Sequence, residues 1–478
     1  MIRPVNIATL PSGVRGLDMV LGGGIPELSF NVIAGEPGAG KTTLAQQIAF
    51  ANATAEHPAL YFTVLGEPTI KLLRYQQQMS FFDPERVGSE IRIVNLGEEV
   101  LAGDLDAVFD RIVSEMRAFA PRVVVVDSFR TVVSGLSTSG AAELERFVQR
   151  LAVTLTSWEV TSFLIGEYLP GELRNPVFTV ADGTFWMTQA VDGNSVVRKM
   201  QVVKMRGMPA IPGLHTMRIT RDGIQVFPRT LVRFPAGPPH THPPRRLSTG
   251  VVGLDEMLGG GLPEGDTAIL SGATGTGKTT FAARFAAAGC ASGEAAVVVV
   301  FEEKPANFNR RAKALGLDVP ALEAARKLRV LYLRPLDLSP DEVLDEIRAA
   351  IDETGATRVV IDSLSGFEVA LAPTFRADFR ESLYRVVSAI GGRAVTVLLT
   401  LQTPDNPLDG RSTPPEVSFI ADDLLVQRHV RVDGQVRSVI EVVKMRGSSH
   451  SHEQHEYTID AEGVTFGAPL PSPVESAP

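Results

Sequence analysis

Two stretches constrain this chain more than any others: Gly35-Glu36-Pro37-Gly38-Ala39-Gly40-Lys41-Thr42 and Gly272-Ala273-Thr274-Gly275-Thr276-Gly277-Lys278-Thr279. Both fit G-x-x-x-x-G-K-[ST], and phosphate chemistry explains the spacing. The glycines let backbone N–H groups curl around phosphates, the lysine brings positive charge to the terminal phosphates, and the Thr hydroxyl helps to hold Mg²⁺. One chance match in a chain of 478 residues has a probability on the order of a few per cent at average residue usage. Two matches in equivalent surroundings are not a coincidence. An apolar run precedes each loop (Phe30 to Ala34, Thr267 to Ser271) and a helical stretch follows it (Thr43 to Ala51, Thr280 to Ala288). This context lets a helix N-terminus aim its dipole and unpaired N–H groups at the anion. Gly35, Gly38, Gly40, Lys41, Thr42 and Thr43 therefore form one expected ATP site, and Gly272, Gly275, Gly277, Lys278, Thr279 and Thr280 a second.

The surroundings repeat as well as the loops. Ser12-Gly13-Val14-Arg15-Gly16-Leu17-Asp18 in the first half answers to Thr249-Gly250-Val251-Val252-Gly253-Leu254-Asp255 in the second. The offset 255 − 18 = 237 equals the lysine offset 278 − 41 = 237, so one domain is duplicated. Each copy continues with a strand (Ala59 to Val64, Ala296 to Phe301), a second strand (Ile91 to Asn95, Leu328 to Leu333) and an amphipathic helix (Asp104 to Phe119, Pro340 to Thr354). The runs Val123 to Val126 and Val359 to Ile361 read as strands buried on both faces, as in a parallel sheet. Alternation of strands and helices gives an α/β class with a mostly parallel sheet, and each copy closes in β-rich sequence with turn signals at Asp192-Gly193 and Asp433-Gly434. The expected domains are residues 1–235 and 248–467, joined by a Pro-rich linker at 236–247 and followed by a disordered tail at 468–478.

Composition narrows the class. The 44% apolar and 21% charged content is that of ordinary globular domains, and the net charge of −9 argues against nucleic acid as the main ligand. A single cysteine, Cys290, allows no internal disulfide. No apolar run approaches the roughly 18 residues of a membrane span, and the N-terminus has no signal pattern, so a cytoplasmic protein without a membrane partner is expected.

Metal-side acids are expected at Asp127 and Asp362, each at the end of its buried run and each followed by Ser. They would share Mg²⁺ with Thr42 and Thr279. Hydrolysis also needs a group to orient or deprotonate the attacking water, and Glu302 and Glu303 directly follow a strand. The first copy reads Leu65-Gly66-Glu67-Pro68 there, with Gly66 taken in place of the first glutamate and Glu67 as the remaining one. A third element is Lys204-Met205-Arg206 and its repeat Lys444-Met445-Arg446. Lys and Arg two apart on a strand share a face, and the role that fits them is a finger reaching a nucleotide on a neighbouring subunit.

In this combination the sequence resembles the KaiC family of clock ATPases and autokinases and its KaiC-like relatives. The resemblance covers about residues 10 to 467 and implies tandem RecA-like domains and stacked rings of six subunits with Mg-ATP at the interfaces. It gives Glu302 and Glu303 the place of the family's catalytic pair. Lys204, Arg206, Lys444 and Arg446 take that of its trans-acting basic motif. The family's adjacent Ser-Thr phosphoacceptors fall at Ser418 and Phe419, so Ser418 is the remaining acceptor candidate. The expected partners are further copies of the chain and a KaiB-like or other signalling protein. Two rival readings stay open: a DNA-dependent ATPase like RadA or DnaB, and a nucleotide-gated scaffold with little turnover. His450, His452 and His455, without cysteine nearby, read as a polar loop near nucleotide rather than a metal site.

Overall fold

The computed structural model describes residues 7–64, 74–134, 141–169, 172, 175–230, 245–333, 337–391, 395–403, 419–432, 434–460 and 463–470. The chain divides into two compact units, Met1–Arg229 and Thr230–Pro478.

In the first unit a short pair, β1 (Thr9–Leu10) and β2 (Ile25–Pro26), precedes β3 (Phe30–Gly35), β4 (Ala59–Thr63), β5 (Ile91–Asn95), β6 (Val123–Asp127) and β7 (Thr161–Glu167). β8 (Gly183–Asp192), β9 (Ser195–Met205), β10 (Leu214–Thr220) and β11 (Gly223–Phe227) complete a nine-stranded sheet in the order β11-β10-β9-β8-β3-β7-β6-β4-β5. The strands from β8 through β5 run parallel to their neighbours, whereas β9, β10 and β11 form an antiparallel extension. Helices α1 (Lys41–Asn52), α2 (Leu105–Phe119), α3 (Phe129–Ser134) and α4 (Ala141–Ser157) flank the parallel part.

The all-valine run explains itself in this setting. Val124 and Val126 pack in a cluster with Ile112 of α2 and Val148 of α4, while Val123 and Val125 pack in another with Leu44 and Ile48 of α1. A strand with helices on both faces has no side that water reaches, so alternation disappears from its sequence.

The second unit repeats the plan. β12 (Arg246–Leu247) pairs with β13 (Leu262–Pro263), and β14 (Thr267–Gly272) starts the main sheet. It continues with β15 (Ala296–Val300), β16 (Leu328–Tyr332), β17 (Arg358–Asp362), β18 (Thr396–Gln402), β19 (Asp423–Val432), β20 (Gln435–Met445), β21 (His455–Ile459) and β22 (Val464–Pro469). Their order, β16-β15-β17-β18-β14-β19-β20-β21-β22, matches the first sheet strand for strand. Its helices include α5 (Lys278–Ala291), α6 (Pro305–Ala314), α7 (Pro340–Thr354), α8 (Leu364–Ala370) and α9 (Phe379–Gly391).

Three boundaries differ from the sequence expectation, the first being the end of the first unit at Arg229 rather than at residue 235. Arg246 and Leu247, assigned to the linker, form β12 because they pair antiparallel with Pro263 and Leu262. Ala468 and Pro469, assigned to the tail, finish β22. Among the described residues no helix is long and apolar enough to cross a membrane.

Candidate functional site

Both phosphate loops sit at the C-terminal end of a central parallel strand and run into a helix N-terminus, as β3–α1 and β14–α5. The last loop glycine is held left-handed in each, with φ of 101° at Gly40 and 91° at Gly277. A side chain there would also displace the end of an isoleucine: a Cβ on Gly40 would lie 2.7 Å from Ile219 Cδ1, and one on Gly277 would lie 2.1 Å from Ile459 Cδ1. Lys41 directs its ammonium to the carbonyls of Gly35 (3.1 Å) and Glu36 (2.7 Å), and Lys278 to those of Gly272 (2.8 Å) and Ala273 (2.6 Å). Burial holds both lysines below the usual range, opposed by Glu167, Asp127 and Glu36 around Lys41 and by Asp362 and Glu302 around Lys278.

In the first domain Thr42 donates to Asp127 at 2.7 Å, and so does Tyr61, from β4, at 2.7 Å. Burial raises the pKa of Asp127; the Tyr61 and Thr42 hydrogen bonds and the Lys41 charge pull the other way, while Glu167 adds to the rise. Gly38, Gly40, Lys41, Thr42, Thr43 and Asp127 share a cleft of about 590 Å³ that Glu167 and Arg130 also line. Hydroxyl and carboxylate oxygens gathered beside a phosphate loop are hard donors suited to Mg²⁺.

In the second domain Thr279, Glu302, Glu303, Asp362 and Ser363 line a cleft of about 380 Å³. Thr400, from β18, donates to Asp362. Ser363 donates to Glu302 at 3.2 Å, and Arg311 of α6 grips Glu303 through both terminal guanidinium nitrogens. The sequence-predicted carboxylates, the loop threonine and the strand-end aspartate therefore meet.

Strand register changes the comparison with the first domain. β4 and β15 keep the offset of 237, since Ala59 and Ala296 open them. At that offset Glu302 and Glu303 are level with Leu65 and Gly66, while Glu67 is level with Lys304. The first repeat thus lacks both glutamates at these positions, not one. Gly66 and Glu67 themselves lie outside the described residues, as does Ser418. Phe419 stacks on Tyr384 with centroids 6.0 Å apart, and Arg380 lies over its ring.

The basic motifs do not join the phosphate loop of their own domain. Lys204 and Arg206 reach Thr179 O (3.4 Å) and the Asp182 carboxylate (3.0 Å); Lys444 donates to Ala421 O, and Arg446 to the Asp422 carboxylate at 3.2 Å. Asp182 and Asp422 also accept from the backbone N–H of Phe30 and Thr267, where β3 and β14 begin. At about 3.3 Å per residue the motifs lie roughly 16 Å from the loops that close those strands. Burial lowers the pKa of Lys204 and Lys444, with the adjacent arginine contributing in each case.

Sequence reasoning missed Tyr61, Glu167, Arg130, Ile219 and Ile459. Of these, Ile219 and Ile459 carry a readable trace, because they repeat at 459 − 219 = 240, the same offset as the Lys-Met-Arg motifs. His455 opens β21, whose Tyr457 bonds to Thr276 O in the loop and whose Ile459 packs against Gly277.

A model of the KaiC ATPase matches residues 10–231 and again 247–470. The chain belongs to the KaiC ATPase family. Relatives include the circadian clock oscillator proteins KaiC of Rippkaea orientalis, 30% identical over 95% of this chain and 87% of the relative, and of Synechococcus elongatus, 28% identical over 96% and 88%. That of a Picosynechococcus species is 30% identical over 95% and 88%. The KaiC assignment agrees with the duplicated α/β sheet and with two phosphate loops in equivalent positions. Within that frame the two halves of this KaiC-family chain differ in what lines their clefts: Glu302 and Glu303 in the second, and Arg130 with Glu167 in the first.

Proposed function

We propose that this chain is an ATP-binding ring protein that hydrolyses ATP in its second domain, phosphorylates its own Ser418 there, and acts as a slow regulatory switch. The observation that carries the reading is the meeting of Glu302 and Glu303 with Thr279 and Asp362 in one cleft. Lys278 balances charge on the terminal phosphates. Glu302 orients a water and takes its proton as the water oxygen bonds to the γ-phosphorus and the bond to the ADP oxygen breaks. With the Ser418 hydroxyl in place of water, the same displacement gives a phosphoserine. Thr279 and Asp362 would hold Mg²⁺, as Thr42 and Asp127 would in the first domain; bound there, it neutralises phosphate charge.

Lys444 and Arg446 lie at the far end of the sheet from their own loop, so in this reading they serve the nucleotide of a neighbouring copy, and Lys204 and Arg206 do the same in the first domain. Copies related head to tail close into a ring, and six is the expected number. The clock names of the relatives support a switch that recruits a KaiB-like or other signalling partner in the cytoplasm. The first domain is a binding site with the slower turnover, because Leu65 and Gly66 stand where the second has Glu302 and Glu303.

The test is incubation of the purified chain with γ-labelled ATP, separating released from protein-bound phosphate. Wild type is expected to yield both, and Ser418→Ala to lose protein-bound label while still releasing phosphate. Undiminished label in that variant would remove Ser418 from the proposal, and no release at all would remove the ATPase.

A further inference from the structure

Arg130 sits two residues after Ser128 on α3 and lines the same cleft as Lys41, Thr42 and Asp127. Its guanidinium donates to Glu167 O at 2.6 Å and forks onto the Glu172 carboxylate at 2.8 and 3.3 Å. It also lies 5.2 Å from the centre of the Tyr168 ring. Glu167 is the β7 partner of Gly35, whose carbonyl accepts the Lys41 ammonium. Adjacent strands are about 4.8 Å apart, so the two cations are tied to neighbouring strand ends on the floor of one cleft. Among its described residues the repeat has nothing equivalent. Asp362 and Asp127 differ by 235, which puts Ser365 at the place of Arg130, and the arginine of the second cleft, Arg311, comes from a different helix and is committed to Glu303.

We propose that Arg130 is a cation of the first domain's own nucleotide site, exchanging the Glu172 carboxylate for the terminal phosphate of a bound nucleoside triphosphate. The proposal rests on the reading of this cleft as an ATP site. Both members of the Arg130–Glu172 pair are about two-fifths exposed, at 40% and 39%, and ion pairs so open to water are held weakly. A terminal phosphate offers more charge and three oxygens to a planar fork of donors. A diphosphate stops short of it and leaves Arg130 on Glu172. Glu172 is then a positioning residue: it keeps the guanidinium at the mouth of the cleft until a triphosphate arrives. An arginine supplied from within the domain offers the first cleft a charge at the γ-position although it lacks the glutamates of the second.

The test uses the full chain carrying Lys278→Ala, which silences the second loop, titrated with ADP and with the β,γ-imido analogue of ATP in the presence of Mg²⁺. In that background Arg130→Gln is expected to weaken binding of the triphosphate analogue roughly ten-fold or more and leave ADP within about two-fold. Arg130→Lys, which keeps the charge and loses the fork, falls between. Glu172→Gln is expected to tighten the analogue and not ADP, a gain that a damaged fold would not produce. Equal changes for both nucleotides, or analogue binding unaffected by Arg130→Gln and Glu172→Gln, would overturn the role of Arg130 while leaving the ATP site standing. Failure of the Lys278→Ala background itself to bind either nucleotide would instead overturn the reading of the cleft, and the proposal with it.

Discussion

Glu302 and Glu303 are adjacent in sequence and held differently. Arg311 grips both oxygens of Glu303, whereas Glu302 meets the Ser363 hydroxyl directly beside Asp362. A carboxylate locked in a fork has less freedom to accept a proton, so the base role belongs to Glu302. In a chain whose first loop is silenced by Lys41→Ala, Glu302→Gln should lower the steady-state rate of phosphate release about a hundred-fold, within the usual range for a general base. Glu303→Gln should cost less than about ten-fold. Equal losses in the two variants would reject the division of roles. The pair was legible from sequence because both residues directly follow a strand that a phosphate loop makes recognisable. Glu167 and Arg130 were not, since no local spacing ties residues 167 and 130 to a loop at 35–42. The order of β3, β7 and β6 in the sheet makes that connection.

Elements were easier to read than their neighbours in space. Ile91 to Asn95 and Pro340 to Thr354 were legible to the residue. In α7 the reason is explicit, since Ser339 caps the helix, Glu342 completes the reciprocal box, and Gly355 ends it in a left-handed turn. The slip that set Glu67 against a glutamate came from matching the repeats by motif rather than by the offset of 237 that Ala59 and Ala296 keep where β4 and β15 open. The start of β19 carries another feature that pattern alone hides. Asp423 is fully buried, and neither of its carboxylate oxygens has a hydrogen-bond partner among the described residues. Burial pushes its pKa up to about 7, helped by Asp266 and Asp422 and opposed by Arg246 and Lys444. The folded chain thus keeps a proton that the unfolded chain has lost above pH of about 4, so stability falls as pH rises from about 4 to about 7 and is level beyond. Asp423→Asn should abolish that decline. Relative to wild type, its unfolding free energy should gain up to roughly 4 kcal/mol between pH 4 and pH 8, read from denaturant midpoints of the second domain. A difference that stays constant across the same interval would mean that Asp423 does not titrate there.

At the scale of the whole molecule, the distance between each Lys-Met-Arg motif and the loop of its own sheet has a consequence for mixtures of subunits. A site completed by a neighbour needs an intact Glu302 from one chain and intact Lys444 and Arg446 from the next. A site completed within one chain needs all three together. One variant, Glu302→Gln, would be co-assembled with another, Lys444→Ala/Arg446→Ala, in equal amounts, both carrying Lys41→Ala so that only the second domain turns over. Each alone should be nearly inactive. In a randomly mixed head-to-tail ring, half of the nucleotide-side chains keep the glutamate and half of their neighbours keep the basic pair. Roughly a quarter of the interfaces are then whole, and phosphate release should return to about a quarter of the Lys41→Ala control. Within a single chain no mixture can rebuild a site, because every copy lacks one part. Mixed rings that stay as inactive as either variant, with assembly verified by light scattering, would place the basic motif outside the reaction and leave its duplication to be explained by the ion pairs with Asp182 and Asp422 alone.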